Sequence, residues 1–223
     1  MYLCIMIEFL SNIDNQLMDM LNGANTPYIT AFMQLYTGKV IWAALYATIA
    51  IVLFANLKPK TALMAFLAIV LVIVFADQVV ASVIRPIVER PRPNNPLSPM
   101  YEFVFKTRDS GGYGFPSCHG ANTFGLAFIV AYVFKNRWLT TFFLLWAALN
   151  SYTRIYLGLH FPGDILAGAF IGWVGAFIMY RLLLWVSKGY FKEPIQYKWI
   201  NLPIWTGLAT IAVICITALI QTI

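Results

Sequence analysis

The chain has 223 residues, 61% of them hydrophobic and 11% charged, with a mean hydropathy of +0.74. A soluble domain carries roughly a quarter charged residues, so composition excludes a free-standing soluble fold and points to the membrane. The formal charge of +6 and the pI of about 9.3 do not imply nucleic acid as a partner, because that requires the basic residues gathered in one soluble patch.

In chain order, the opening "MYLCIMIEFL" lacks a basic leader and a small-residue cleavage site, so no removable signal peptide is expected. Residues 3–21 set Leu10, Ile13, Leu17 and Leu21 on one helical stripe, with Asp14 and Asp19 among the polar residues and Asn22-Gly23 as a stop. That pattern suits an interfacial helix better than a full span. A bilayer core of about 30 Å takes roughly 20 mostly apolar residues per helix. Six stretches qualify: 40–57, 61–84, 120–135, 138–156, 163–186 and 202–222. The run "IVLFANLKPKTALMAFLAIVLVIVF" does not alternate apolar and polar residues, which excludes a β-barrel. The expected fold is all-α: one domain over residues 1–223, a polytopic membrane bundle of about six transmembrane helices with an N-terminal interfacial helix.

Within that bundle Asp77 and Gln78 fall inside the second span, where a polar group is costly, and a hydrogen bond to a neighbouring helix is expected. "GAFIG" (168–172) in the fifth span predicts close helix packing inside the bundle rather than dimerisation. Loop 94–113 is long for a connector and holds Gly111 and Gly112; a mobile lid and a plain solvated loop both fit it. Cys4, Cys118 and Cys215 form no CxxC pair or disulfide framework; Cys4 and Cys215 read as packing sulfurs.

Alternating spans sort the loops into two sets. One holds Lys58, Lys60, Lys135, Arg137, Arg181, Lys188, Lys192 and Lys198 against a single acid, Glu193; the other mixes bases and acids evenly. The positive-inside rule places the first set in the cytoplasm, and both termini, loop 85–119 and loop 156–163 outside. Trp185, Tyr190, Tyr197, Trp199 and Trp205 flank the last cytoplasmic loop as an aromatic belt would.

Three polar clusters share the outer face. "RPIVERPRPNN" follows the second span and carries Arg85 and Arg92, whose guanidinium forks suit phosphate, although its prolines argue against an intact helix. "FPSCHG" precedes the third span, placing Ser117, Cys118 and His119 at a helix N-terminus, where free backbone N–H groups bind anions. "SYTRIYLGLHFPGD" ends the fourth span with Arg154 and opens the fifth with Asp164. His160 lies four residues before Asp164, within reach of a carboxylate that would fix its tautomer and sharpen the other ring nitrogen as nucleophile or base. Asn150, four before Arg154, is placed to orient it. Both histidines of the chain lie in these clusters.

Three chemistries compete for these residues. A C-x5-R cysteine phosphatase needs arginine at position 124, where Phe124 stands. A zinc site drawn from Cys118, His119, His160 and Asp164 would have to fold adjacent ligands onto one ion without any usual ligand spacing. Phosphoryl transfer through histidine uses all three clusters: the arginines neutralise the phosphate, one histidine attacks and the other protonates the leaving oxygen.

Together the three stretches resemble the type 2 phosphatidic acid phosphatase (PAP2) family, whose motifs read K-x6-R-P, P-S-G-H and S-R-x5-H-x3-D. Here they stand as Arg85-x6-Arg92-Pro93, Pro116-Ser117-Cys118-His119 and Thr153-Arg154-x5-His160-x3-Asp164, within roughly residues 60–185. Arg85 replaces lysine, Cys118 glycine and Thr153 serine; none removes a group the reaction needs. The resemblance implies His160 as a nucleophile forming a phosphohistidine, Asp164 as its orienting carboxylate and His119 as general acid. It further implies a phosphate cradle of Arg85, Arg92, Arg154, Ser117 and the Cys118 backbone, with no metal and no cofactor. The implied partner is a lipid phosphate in the bilayer of a bacterial inner membrane, hydrolysed at the periplasmic or outer face. Undecaprenyl pyrophosphate, phosphatidylglycerophosphate, phosphatidate and lipid A phosphates all remain candidates. The alternatives are a non-catalytic lipid or phosphate carrier with the same arginine cradle, indifferent to loss of His160, and a haloperoxidase-like use of the cradle for vanadate, out of place in so membranous a chain.

Overall fold

The computed structural model describes residues 2–23, 25–107, 109 and 112–223. Helix α1 spans Tyr2–Asn22. Its stripe of Leu10, Ile13, Leu17 and Leu21 faces outward, while Asp14 and Met18 are buried against the rest of the chain, the arrangement of a helix laid in a lipid interface. Helix α2, Pro27–Tyr36, was not anticipated in the sequence although its start is marked: Thr26 caps it, accepting from the Ile29 N–H at 3.2 Å, and Pro27 occupies its first position. A break at Thr37–Lys39 and a 3₁₀ turn at Val40–Trp42 lead into α3, Ala43–Asn56, bent by 66° from α2.

Helix α4, Pro59–Gln78, runs through a wide π turn at Val79–Ile84 into the single turn α5, Arg85–Val88. Pro91 and Pro93 stop it there, so Arg85 sits on a helix and Arg92 in the loop beyond it, next to the isolated bridge between Pro91 and Tyr113. Three further helices carry the site between their ends, α6 Cys118–Phe134, α7 Arg137–Tyr156 and α8 Pro162–Val186, and α9, Leu202–Ile220, closes the bundle.

By length and composition, Pro59–Val88, Pro162–Val186 and Leu202–Ile220 can each cross a membrane, and the bent pair Pro27–Tyr36 with Val40–Asn56 makes a fourth if it is one span. The expected count of about six is not reached by that measure. Helix α6, though apolar, is only 17 residues long, and α7 buries the polar Asn150, Ser151 and Thr153.

The close approach of α6 and α8 fixes the site. A Cβ on Gly168 would collide with the Ser117 carbonyl and one on Gly172 with the Ala121 carbonyl, so the GAFIG stretch packs within the bundle as small residues do between membrane helices. Gly168→Ala is therefore expected to lower stability by about 1–3 kcal/mol through overpacking, read as a lower midpoint of thermal unfolding in detergent. Asp77 Oδ1 accepts from Asn122 Nδ2 at 3.3 Å, tying α4 to α6 as its position in the span foretold.

Asn22, read in the sequence only as a stop, is a hub. Its side-chain amide donates to the Ile155 and Tyr156 carbonyls at 2.8 Å each, and its Oδ1 accepts from Phe105 N at 2.6 Å. It thereby satisfies carbonyls at the end of α7 and moors loop 94–113, which also donates from Asn94 N to the Gly158 carbonyl at 3.0 Å. The stretch proposed as a lid includes Arg108, Ser110 and Gly111, which lie outside the described residues, as does the side chain of Cys4.

Candidate active site

The three clusters meet at one end of the bundle, where α5 ends, α6 begins and α7 turns into α8. Ser117, fully buried, caps α6: its Oγ accepts from Gly120 N at 3.2 Å, which leaves its O–H to donate. The next amides, Cys118 and His119, belong to the first helical turn, whose N–H groups have no partner inside the helix. Ser117 N donates to the Asp164 carbonyl at 3.0 Å, locking the start of α6 to the start of α8.

Asp164, fully buried, accepts from His160 Nδ1 at 3.3 Å and from Phe161 N at 3.0 Å on one oxygen, and from Arg90 Nη1 at 3.1 Å on the other. A carboxylate only accepts, so the hydrogen lies on Nδ1 and the Nε2 lone pair of His160 is left for chemistry. His160 is in the turn before α8, its N–H donating to the Arg154 carbonyl at 3.2 Å. Burial, reinforced by Arg92 and Arg154 and opposed by Asp164, lowers the His160 pKa to about 4. At neutral pH it is an uncharged imidazole beside a carboxylate and not half of an ion pair.

Arg85 Nη2 donates to the Pro116 carbonyl at 2.9 Å and reaches Cys118 Sγ at 3.2 Å. Cys118 thus brings its side chain to the site as well as the expected backbone N–H. Among the described residues the Nε–H of Arg85 is buried without a hydrogen-bond partner, a costly arrangement unless an anion meets it. Arg92 donates from Nε to the Tyr113 carbonyl at 3.2 Å. Gly114 allows that approach: its amide donates to the Arg90 carbonyl at 2.8 Å, and a Cβ there would lie 2.9 Å from Asp164 Oδ2.

His119 Nε2 lies 2.6 Å from Asn150 Oδ1 and 3.4 Å from Thr37 Oγ1, which in turn accepts from Arg154 Nη1 at 3.1 Å. Asn150, expected to orient Arg154, therefore meets His119. Thr37 was missed in the sequence because the break between α2 and α3 brings it in from outside the three clusters. Among the described residues no three His, Cys, Asp or Glu side chains group closely enough to share a metal ion.

An apolar cavity of about 350 Å³ opens at His119, lined by Thr37, Lys39, Ile69, Ile73, Leu126 and Trp146 among others; His160 is not on its wall. A wider hollow of about 500 Å³ between Asn25–Gln34, Phe105 and the end of α9 touches none of the cluster residues, so volume alone does not mark the site.

Residues 66–188 match the PAP2 superfamily model. The chain is 46% identical over 227 residues, 97% of its own length and all of the relative's, to a protein of Bacteroides thetaiotaomicron named lipid A 4'-phosphatase. It is 30% identical to a protein of the same name from Porphyromonas gingivalis, over 82% of this chain and 78% of that one. The crystal structure of Aquifex aeolicus LpxE superposes with a TM-score of 0.60 at 24% identity, covering 74% of this chain and 93% of that one, and shows a shared fold. With the motifs gathered at one end of a helical bundle, a family match across more than half of the chain and a relative aligned along its whole length, the chain belongs to the PAP2 superfamily and is a membrane phosphatase of that type.

Proposed function

We propose that the protein removes a phosphate from a membrane lipid by metal-independent catalysis through a phosphohistidine on His160, at the periplasmic face of a bacterial inner membrane. The 4'-phosphate of lipid A is the first candidate substrate, by the 46% identity to a protein of that name over the full chain. The observation that carries the mechanism is the pair of histidines in different settings. Burial holds His160 neutral and Asp164 orients it, while His119 sits on the wall of an apolar cavity.

In-line displacement needs the nucleophile and the leaving oxygen on opposite sides of phosphorus. A lipid whose apolar part enters the cavity presents its leaving oxygen to His119 and its phosphorus to His160 Nε2. Arg85, Arg92, Arg154, the Ser117 hydroxyl and the Cys118 amide would hold the three remaining oxygens, with the Arg85 Nε–H as a donor awaiting one. His160 attacks, His119 protonates the departing alkoxide, and water then hydrolyses the N–P bond with His119 as base. Asp164 keeps the imidazolium of the intermediate oriented.

Phosphate release by the purified protein in detergent with EDTA is expected from lipid A ahead of undecaprenyl pyrophosphate, phosphatidylglycerophosphate and phosphatidate. Release abolished by EDTA and restored by a divalent cation would overturn the metal-independent mechanism. Binding of these lipids with no release from any of them would favour a carrier.

A further inference from the structure

Among the described residues, one charged group at a position that the motifs leave unspecified reaches the reacting pair. Arg90 Nη1 lies 2.6 Å from Asp14 Oδ2 and 3.1 Å from Asp164 Oδ1, and its guanidinium stacks 4.0 Å from the centre of the Phe161 ring. Asp14 belongs to α1, far before the matched residues 66–188. It is buried, and its other oxygen accepts from Gly163 N at 2.7 Å, at the first turn of α8. Four groups thus stand in line: Asp14, Arg90, Asp164, His160. A buried ion pair is weak evidence of a stabilising role, since well-packed apolar residues often do as well. What sets this pair apart is where it ends, on the carboxylate that orients His160.

We propose that Arg90, anchored by Asp14, is a positioning residue for the His160–Asp164 pair, which makes α1 part of the catalytic apparatus. By occupying Asp164 Oδ1 it leaves Oδ2 to His160 and fixes the plane of the carboxylate. By sharing the charge of Asp164 it limits the field that would protonate His160, and Asp14 limits how much of that charge Arg90 takes. The inference rests on His160 as the nucleophile. The other charged or titratable groups facing the pair are Arg92 after α5, Arg154 on α7 and His119 on α6.

The test is the pH profile of kcat/KM with lipid A and with p-nitrophenyl phosphate in detergent, for wild type, Arg90→Gln, Arg90→Lys and the double variant Asp14→Asn/Arg90→Gln. Arg90→Gln is expected to lose about 10- to 100-fold in kcat, as loss of a residue supporting a catalytic ligand does. It leaves two carboxylates with one cation fewer, so protons bind at higher pH and the acid limb moves up by about one unit. Adding Asp14→Asn removes a negative charge and returns the limb toward wild type without restoring kcat, and Arg90→Lys recovers part of kcat with little movement of the limb. A purely structural pair would not move the limb and return it in this order.

An acid limb unchanged in Arg90→Gln, or unchanged between it and the double variant, overturns the inference. If Arg90→Gln does not fold, the double variant, which keeps the net charge of the wild-type cluster, must still be at least about tenfold slower than Arg90→Lys; equal kcat overturns the inference as well. His160→Ala in the same assay separates the two readings. Hydrolysis indifferent to it defeats the histidine mechanism, whereas His160-dependent hydrolysis with an unmoved limb defeats only the role of Arg90.

Discussion

His160→Ala is expected to lower kcat by roughly 10⁴- to 10⁶-fold, the scale seen when the nucleophile of an interdependent catalytic set is removed. The fold should survive the change. Asp164 keeps Phe161 N on one oxygen and Arg90 on the other, so no buried carboxylate is stranded. The remaining activity then reports chemistry and not unfolding. The acid limb of kcat/KM for the wild type follows from the same imidazole. Attack needs the neutral ring, whose pKa is lowered from 6.5 to about 4 by burial first and by Arg92 and Arg154 second. The His160 limb is therefore expected near 4 and not near 6.5, since kcat/KM reports groups of the free enzyme; burial and Arg154 lower His119 to about 4 as well, so the proton it passes to the leaving oxygen arrives with the bound phosphate. Acid-labile, base-stable label from a ³²P substrate should appear on wild type after a rapid quench and be absent from His160→Ala. Label of equal amount on the variant would place the phosphoryl group on another residue.

The bundle and its motifs could be read in the sequence because both depend on local patterns. Apolar runs marked α3, α4 and α6 to α9, and spacing marked Arg85, Arg92, Ser117, His119, Arg154, His160 and Asp164, which the fold brings to one end of the bundle. Proline chemistry also foretold that Arg85 and Arg92 would not share an intact helix. The partners that orient these residues were not legible, because they arrive across long sequence separations. Asn150 meets His119 from α7, Thr37 from a kink outside the clusters, and Arg90 meets Asp14 from a helix near the start of the chain. The sequence marked Asp14 as polar on an amphipathic helix, but which face an interfacial helix turns inward is decided by what it docks against. The span count is left short of six for two reasons: α6, though apolar, is only 17 residues long, and α7 carries Asn150, Ser151 and Thr153.

His119→Asn is expected to separate substrates by their leaving groups. Asparagine keeps a polar group near Asn150 and Thr37 but cannot deliver a proton to a departing oxygen. With lipid A, whose leaving group is a sugar alkoxide, kcat should fall by about 10²- to 10⁴-fold, the usual worth of general acid catalysis. With p-nitrophenyl phosphate the phenol leaves as a stable anion without help, so the phosphorylation step should fall far less. Hydrolysis of the phosphohistidine, however, needs His119 as the base that activates water, by microscopic reversibility. The variant should then release one equivalent of nitrophenol in a burst and hold the phosphoryl group on His160, a state that the turning-over wild type keeps only as a small fraction trapped by rapid quench. The placement of His119 on the cavity wall and of His160 away from it is the geometric reason for this division of labour. Were the two substrates to lose rate equally, with no burst, His119 would be holding phosphate rather than moving a proton. The general acid would then have to be sought elsewhere on the leaving-group side, where Lys39 and Thr37 also line the cavity.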